Sequence, residues 1–171
     1  MQINIGAEIR IIDPLLPRAL VDEAAEMSKI FPVIYLFENS VRNLVKIVLE
    51  NKYGDGWWDS KVSTKTKDKV DDRLKQEDAN RWHGKRGVHK IFYTDIEDLK
   101  SIIISNWEDF KAIFRNQAWV QSKIEEIELS RNIIAHNNPL SDRDIKRLRI
   151  NFEDWIRQIS KFEKIKNSLH D

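Results

Sequence analysis

QAWVQSKIEEIELSRNIIAHNNP, residues 117–139, decides the fold class once it is read at helical pitch. At about 100° per residue, Val120, Ile124, Ile127 and Ile134 fall in one narrow stripe, the pattern of a helix with a buried face. Asn138-Pro139 forces the backbone out of that helix, which therefore covers roughly 117–136. Arg131 stands in the middle of the apolar stripe. A guanidinium there is costly unless it is paired or lines a polar cleft, and both readings are open. An acid such as Glu38 on an earlier helix would serve the first. His136 ends the helix on a different face, with Leu129 and Ile133, about 140° around from Arg131 on a regular wheel. It reads either as a C-terminal residue suited to the helix dipole or as a titratable group that the departing chain swings towards Arg131.

The same period recurs along the chain. A helix is expected to start near Pro17 and another near Pro32, running to about Tyr53 with Ile34, Phe37, Val41, Leu44, Val45 and Val48 on one stripe. Tyr53-Gly54-Asp55-Gly56 ends it, and Trp57-Trp58 read as core residues folding back over its end. Residues 61–80 read as a polar helix anchored by Val62, Val70 and Leu74. Thr94-Asp95-Ile96-Glu97 has the form of a capping box, with Thr94 at the cap and Glu97 three residues on. Ser141 is expected to cap a last helix whose Ile145, Leu148, Phe152, Trp155, Ile159 and Phe162 follow 3-4-3-4-3 spacing, a bundle seam. Strand character is confined to a short stretch at Met1–Ile5 or Ile9–Ile12. The expected fold is an all-α bundle.

Composition narrows the chemistry. The chain has 171 residues, 41% apolar and 33% charged, with a net charge of +1. That suits one domain with a real core. Without cysteine there is no disulfide or thiolate metal site. The four His, at 83, 89, 136 and 170, show no metal-ligand spacing, and the five Gly form neither GxxxxGK[ST] nor GxGxxG. The N-terminus lacks a signal-peptide pattern and no apolar run is long enough to span a bilayer, so a cytoplasmic protein without membrane attachment is expected. Charge is uneven: residues 61–90 carry 10 basic and 5 acidic side chains. Within them the loop RWHGKRGVHK (81–90) holds Arg81, Trp82, His83, Lys85, Arg86, His89 and Lys90 and no acid. Cations interleaved with an aromatic suit a single nucleic-acid strand, while the alternative is a solvated turn with Trp82 anchored in the core.

Taken in order, ENSVRNLVKIVLENKYGDGWW (38–58), RWHGKRGVH (81–89), YTDIEDLKSIII (93–104) and RNIIAHNNPLSDRDI (131–145) resemble the HEPN superfamily, and within it the Swt-type branch. The resemblance covers about residues 30–160. It implies an HEPN-like helical domain over 31–171 with extra N-terminal and central helices, and leaves 1–30 as an extension of unknown role. It further implies a metal-independent endoribonuclease without cofactor, working as a homodimer on RNA, or a catalytically silent relative that binds RNA or protein. A toxin or defence effector, with an antitoxin or regulatory protein as partner, fits the first option. The residue chemistry agrees with catalysis. Arg131 can clamp a phosphate with two parallel hydrogen bonds, and His136 can exchange a proton near neutral pH. Asn132, four residues before His136, could orient its ring. Glu38 and Arg42, at i and i+4, read as a supporting surface pair, unless Glu38 holds Arg131. A two-fold dimer would unite two motifs, and Trp119, Leu129 and Ile133 supply an apolar face for it.

Overall fold

A computed structural model describes residues 2–4, 8–10 and 17–168 of the chain. Two short strands, β1 (Gln2–Asn4) and β2 (Glu8–Arg10), pair antiparallel with Ile3 opposite Ile9. Eight helices follow: α1 (Arg18–Ser28), α2 (Phe31–Tyr53), α3 (Trp57–Lys61), α4 (Thr64–Ala79), α5 (Ile96–Ser105), α6 (Trp107–Phe110), α7 (Gln117–Ala135) and α8 (Asp142–Ser168). The fold is an all-α bundle with this small hairpin in front of it.

The long helix α2 is the central element. Pro32 sits in its first turn, where no intrahelical N–H is required. Its Ile34, Phe37, Val41, Leu44, Val45 and Leu49 are buried. Gly54, at φ 65°, ends it in a conformation that disfavours any side chain. The chain then turns through Gly54–Gly56 into α3, and Trp57 and Trp58 are buried as expected. Helix α7 lies between α5 and α8, and α2 packs on α5, α6 and α8. On α8, Leu148 and Trp155 are buried and Ile145, Phe152 and Ile159 pack against the core, so the seam extends to the last described side chains. The Phe162 side chain lies outside the described ones.

The polar helix α4 needs more than Val70 to hold it. Lys69 Nζ lies 2.9 Å from Asp98 Oδ1, Arg73 Nη1 lies 3.5 Å from Asp98 Oδ2, and Arg73 Nη2 lies 2.8 Å from Asp95 Oδ2. Asp98 is buried, so these contacts compensate a desolvated charge. The same acids cap α5. Asp98 donates its N–H to Asp95 Oδ1 at 2.9 Å, and Asp95 donates its own to Asp98 Oδ2 at 3.1 Å. The capping box therefore lies one residue later than expected, on Asp95 and Asp98 rather than Thr94 and Glu97. Thr94 is occupied otherwise, donating its hydroxyl to the Ile91 carbonyl at 2.7 Å. An Asp at both box positions lets one pair of carboxylates cap α5 and bind α4 together.

Burial opposes ionisation of Asp95, but the Arg73 guanidinium and the Asp98 N–H outweigh it and hold the carboxyl at about 2. A carboxyl lowered by folding stabilises the folded state above its unfolded pKa, about 3.9, and that contribution is lost as pH falls through the folded value. Asp95→Asn keeps a capping oxygen and removes the charge. It should be less stable than wild type near neutral pH by on the order of 1–2 kcal/mol. Urea titrations at a series of pH values should show that gap closing between about pH 4 and pH 2.

Candidate functional site

Helix α7 begins at Asn116, whose side-chain oxygen accepts from the Trp119 N–H at 2.8 Å. It ends in a device that explains its last letters. Asn137 has φ 57°, the one positive φ outside glycine among the described residues. Its N–H donates to the Ile134 carbonyl at 2.9 Å, and the Asn138 N–H donates to the Ile133 carbonyl at 3.1 Å. This is a Schellman closure, in which a left-handed residue turns the chain back over the last carbonyls. Asn tolerates that conformation better than other side chains, and Pro139 follows because the helix is finished. The signal was present in the NNP run, although Pro139 was the feature that drew the boundary.

Val120, Ile124 and Ile127 are fully buried, and Ile134 is half-buried. Arg131 is half-buried between them and the helix end, and no acid pairs with it among the described residues. Its Nη1 donates to Asn132 Oδ1 at 3.1 Å. Asn132 thus turns its amide oxygen towards the guanidinium of its neighbour. Glu38 is committed elsewhere. It pairs with Arg42 on its own helix, both side chains being only 14% and 13% exposed. Arg42 also donates to the Thr94 carbonyl at 3.0 Å and to Asn39 Oδ1 at 3.2 Å. The pair is therefore not a surface pair: it ties α2 to the residue that precedes the α5 cap.

Arg131, Arg42 and Arg86 line one open cleft of about 520 Å³, with Glu38, Asn39, Phe31, Ile34, Tyr35, Phe92 and Ile134 completing its walls. Three guanidiniums against one already paired carboxylate make it an electropositive site. It is assembled from α2, from α7 and from the segment that joins α4 to α5. His136 is not in it. It is the exposed cap residue of α7, beyond Ala135, which does line the cleft. The apolar face expected for a dimer divides. Leu129 and Ile133 are 64% and 38% exposed, so that face is open. Trp119 is not part of it, because its ring stacks on Trp155 at 6.3 Å and meets Phe114 at a tilt at 6.0 Å, against the chain's own core.

The basic loop divides as well. Trp82 is 84% exposed and is not anchored in the core. Trp82, His83 and Arg86 line a second hollow against Gln76, Glu77 and Asn80 on the α4 side. Arg86 is shared between this hollow and the cleft. Arg81 and Lys85 are exposed and line neither. His89 sits apart: its ring stacks on buried Trp57 at 5.3 Å and meets Trp58 edge-on at 5.8 Å. Its Nδ1 accepts the Ile91 N–H at 3.1 Å. Burial, with Lys46 nearby, lowers its pKa, and the ring serves as a packing element.

The loop is tied down next to Arg86. The Arg86 N–H donates to Glu77 Oε2 at 3.1 Å, and Tyr93 donates its hydroxyl to Glu77 Oε1 at 2.6 Å. At Gly87 the Phe92 ring lies against the backbone, where an added Cβ would stand 2.7 Å from ring carbon Cδ2 and 3.0 Å from Phe92 Cβ. Gly87→Ala should therefore displace Phe92 and the cleft wall with it. Its near-ultraviolet circular dichroism should change as the Phe92 ring moves, while its melting temperature changes by only a few degrees. Asn137→Val, which puts a branched side chain at a positive φ, should destabilise the protein by about 1–2 kcal/mol in urea. Asn137→Gly should not.

No helix among the described residues is long and apolar enough to cross a membrane. No curated protein and no solved structure matches the chain. A family model does, the one described as Swt1-like HEPN, over residues 33–160. That span runs from the first turn of α2 into α8 and takes in the cleft except for Phe31, the basic loop and the RNIIAH segment, so the chain belongs to the Swt1-like HEPN family.

Proposed function

We propose that the protein is a metal-independent endoribonuclease that works as a homodimer. The observation that carries this reading is the cleft. Arg131 enters it without an acidic partner among the described residues, beside Arg42 and Arg86, at the end of a helix whose next residue is a solvent-exposed histidine. Arg131 holds the scissile phosphate with paired N–H donors and stabilises the charge that builds on its oxygens. The attacking group is the RNA's own 2′-hydroxyl. Its oxygen bonds to phosphorus as the P–O5′ bond breaks, its proton passes to a base, and the leaving 5′-oxygen receives a proton from an acid. His136 supplies one of these roles. A second copy docked through Leu129 and Ile133 supplies the other from its own motif, and brings a histidine to a cleft that one chain's His136 does not line.

A second reading, a non-catalytic module that binds RNA or a protein partner, is favoured by one specific observation: among the described residues, His136 does not line the cleft that Arg131 enters. A role as a toxin or defence effector held in check by an antitoxin belongs to the first reading. Cytoplasmic RNA is the substrate it requires.

The two readings part in one assay. Mixed RNAs incubated in EDTA should be cut, leaving 2′,3′-cyclic phosphate or 3′-phosphate ends. Arg131→Ala and His136→Ala should each lose about a hundredfold or more in rate. His136→Ala should fold normally, since an exposed cap residue carries little packing. Light scattering should show a dimer at micromolar concentration. Loss of cleavage in EDTA removes this assignment of roles. RNA binding that needs Arg131, without any cleavage, establishes the second reading instead.

A further inference from the structure

We infer that Phe31 and Tyr35 form a base-stacking platform on the rim of the arginine cleft, so that the cleft takes an unpaired nucleotide rather than a duplex. The inference rests on the reading of the cleft as an RNA site and adds what part of the RNA it recognises. Both residues lie on the first turns of α2, four positions apart and therefore on the same side of the helix. They are 58% and 56% exposed, and their ring centroids stand 6.0 Å apart with the planes tilted by 35°. Both line the cleft that Arg131 of α7 also lines.

Two large rings left in water on a helix whose other face is fully used in the core call for an occupant. The charge around them selects it. The cleft presents three guanidiniums and one carboxylate already paired to one of them, so its occupant carries negative charge next to a flat apolar group. A nucleotide has that combination, with the phosphate on the arginines and the base against an aromatic face. In an A-form duplex the bases are stacked on each other and cannot reach a side-chain ring, so the occupant is single-stranded. Tyr35 also has a local role that fixes its place: its carbonyl accepts the Asn39 amide at 2.8 Å, and Asn39 Oδ1 accepts from Arg42. The platform and the cationic floor are thus joined through one short stretch of α2.

The test uses the full chain and labelled ten-nucleotide strands made uncleavable by 2′-O-methyl groups, one bearing bases and one abasic throughout. Fluorescence anisotropy is measured for wild type, Phe31→Ala/Tyr35→Ala, Tyr35→Leu and Arg131→Ala. The double variant should bind the base-bearing strand roughly tenfold or more weaker and the abasic strand unchanged. Tyr35→Leu, which keeps an apolar side chain and loses the ring, should follow the double variant in direction. Arg131→Ala should weaken both strands, and an unlabelled duplex of the same sequence should compete poorly. If Arg131→Ala weakens binding while the ring variants bind like wild type, or if the duplex competes as well as the single strand, this inference alone is overturned. If Arg131→Ala leaves both strands unaffected, the RNA reading of the cleft falls and takes this inference with it. If sedimentation shows that the ring variants turn a dimer into monomers, with affinity lost for both strands alike, the rings belong to a contact between copies and the platform is refuted.

Discussion

The indole of Trp155 is the contact on which the relative placement of the long helices depends. It is fully buried, with Phe37 at 5.1 Å and Phe114 at 5.2 Å, and Trp119 stacked on it. Its Nε1–H donates to Ser40 Oγ at 2.8 Å, which satisfies the one polar atom that burial would otherwise strand. Phe37 and Ser40 belong to α2, Trp119 to α7 and Trp155 to α8. One side chain therefore sets the distance between the helix that carries Arg42 and the helix that carries Arg131. Lys123 adds a polar clamp between α7 and α8, reaching Asn151 and Asp154 at 2.7 Å each. The aromatic junction explains why Trp119 does not belong to the face expected for a dimer: a large ring near a helix start reaches sideways to a partner that periodicity along one helix does not reveal.

The electrostatics of the cleft follow from one choice of partner. Glu38 lies near enough on α2 to bind Arg42 at i and i+4, and that local pair needs no tertiary search. Once it is made, Arg131 is left with a neutral amide, and Arg86 arrives on a loop fixed through its backbone rather than its side chain. Cations gathered in an open cleft repel one another, at a cost softened by water. An anion entering that cleft relieves the repulsion and needs no rearrangement of the pairs already formed.

Much of this was legible in the sequence, and the reasons differ by residue. The helices of the bundle announced themselves because each buries a stripe at 3.6-residue pitch, and α2, α7 and α8 lie close to where their apolar periods and Pro, Gly and Asn signals put them. The α5 cap lies one residue later because Thr94-Glu97 and Asp95-Asp98 both offer a capping pair at the same spacing; the choice is made by Lys69 and Arg73, 29 and 22 positions earlier in the chain than the acids they bind and beyond the reach of any local pattern. Arg131 stood out as a charge in an apolar stripe, and whether it was paired depended on Glu38, whose partner only the fold decides. Phe31 and Tyr35 went unremarked since exposed aromatics at a helix start look like ordinary members of an apolar run. His89 was grouped with the loop cations by adjacency, whereas Trp57 and Trp58, thirty residues earlier in the chain, draw it inward.

The arginines of the cleft come from three distant parts of the chain, at 42, 86 and 131, and the side chain that spaces their helices is at 155. The order in which a ribosome delivers these residues therefore matters. A nascent chain that has exposed α2 and the basic loop still has no cleft, and one that has also made Arg131 lacks the indole that holds α7 against α2. The site takes its shape only once the chain through Trp155 is free to fold. A copy that stops short of Trp155 has the three arginines but not the contact that sets α7 against α2.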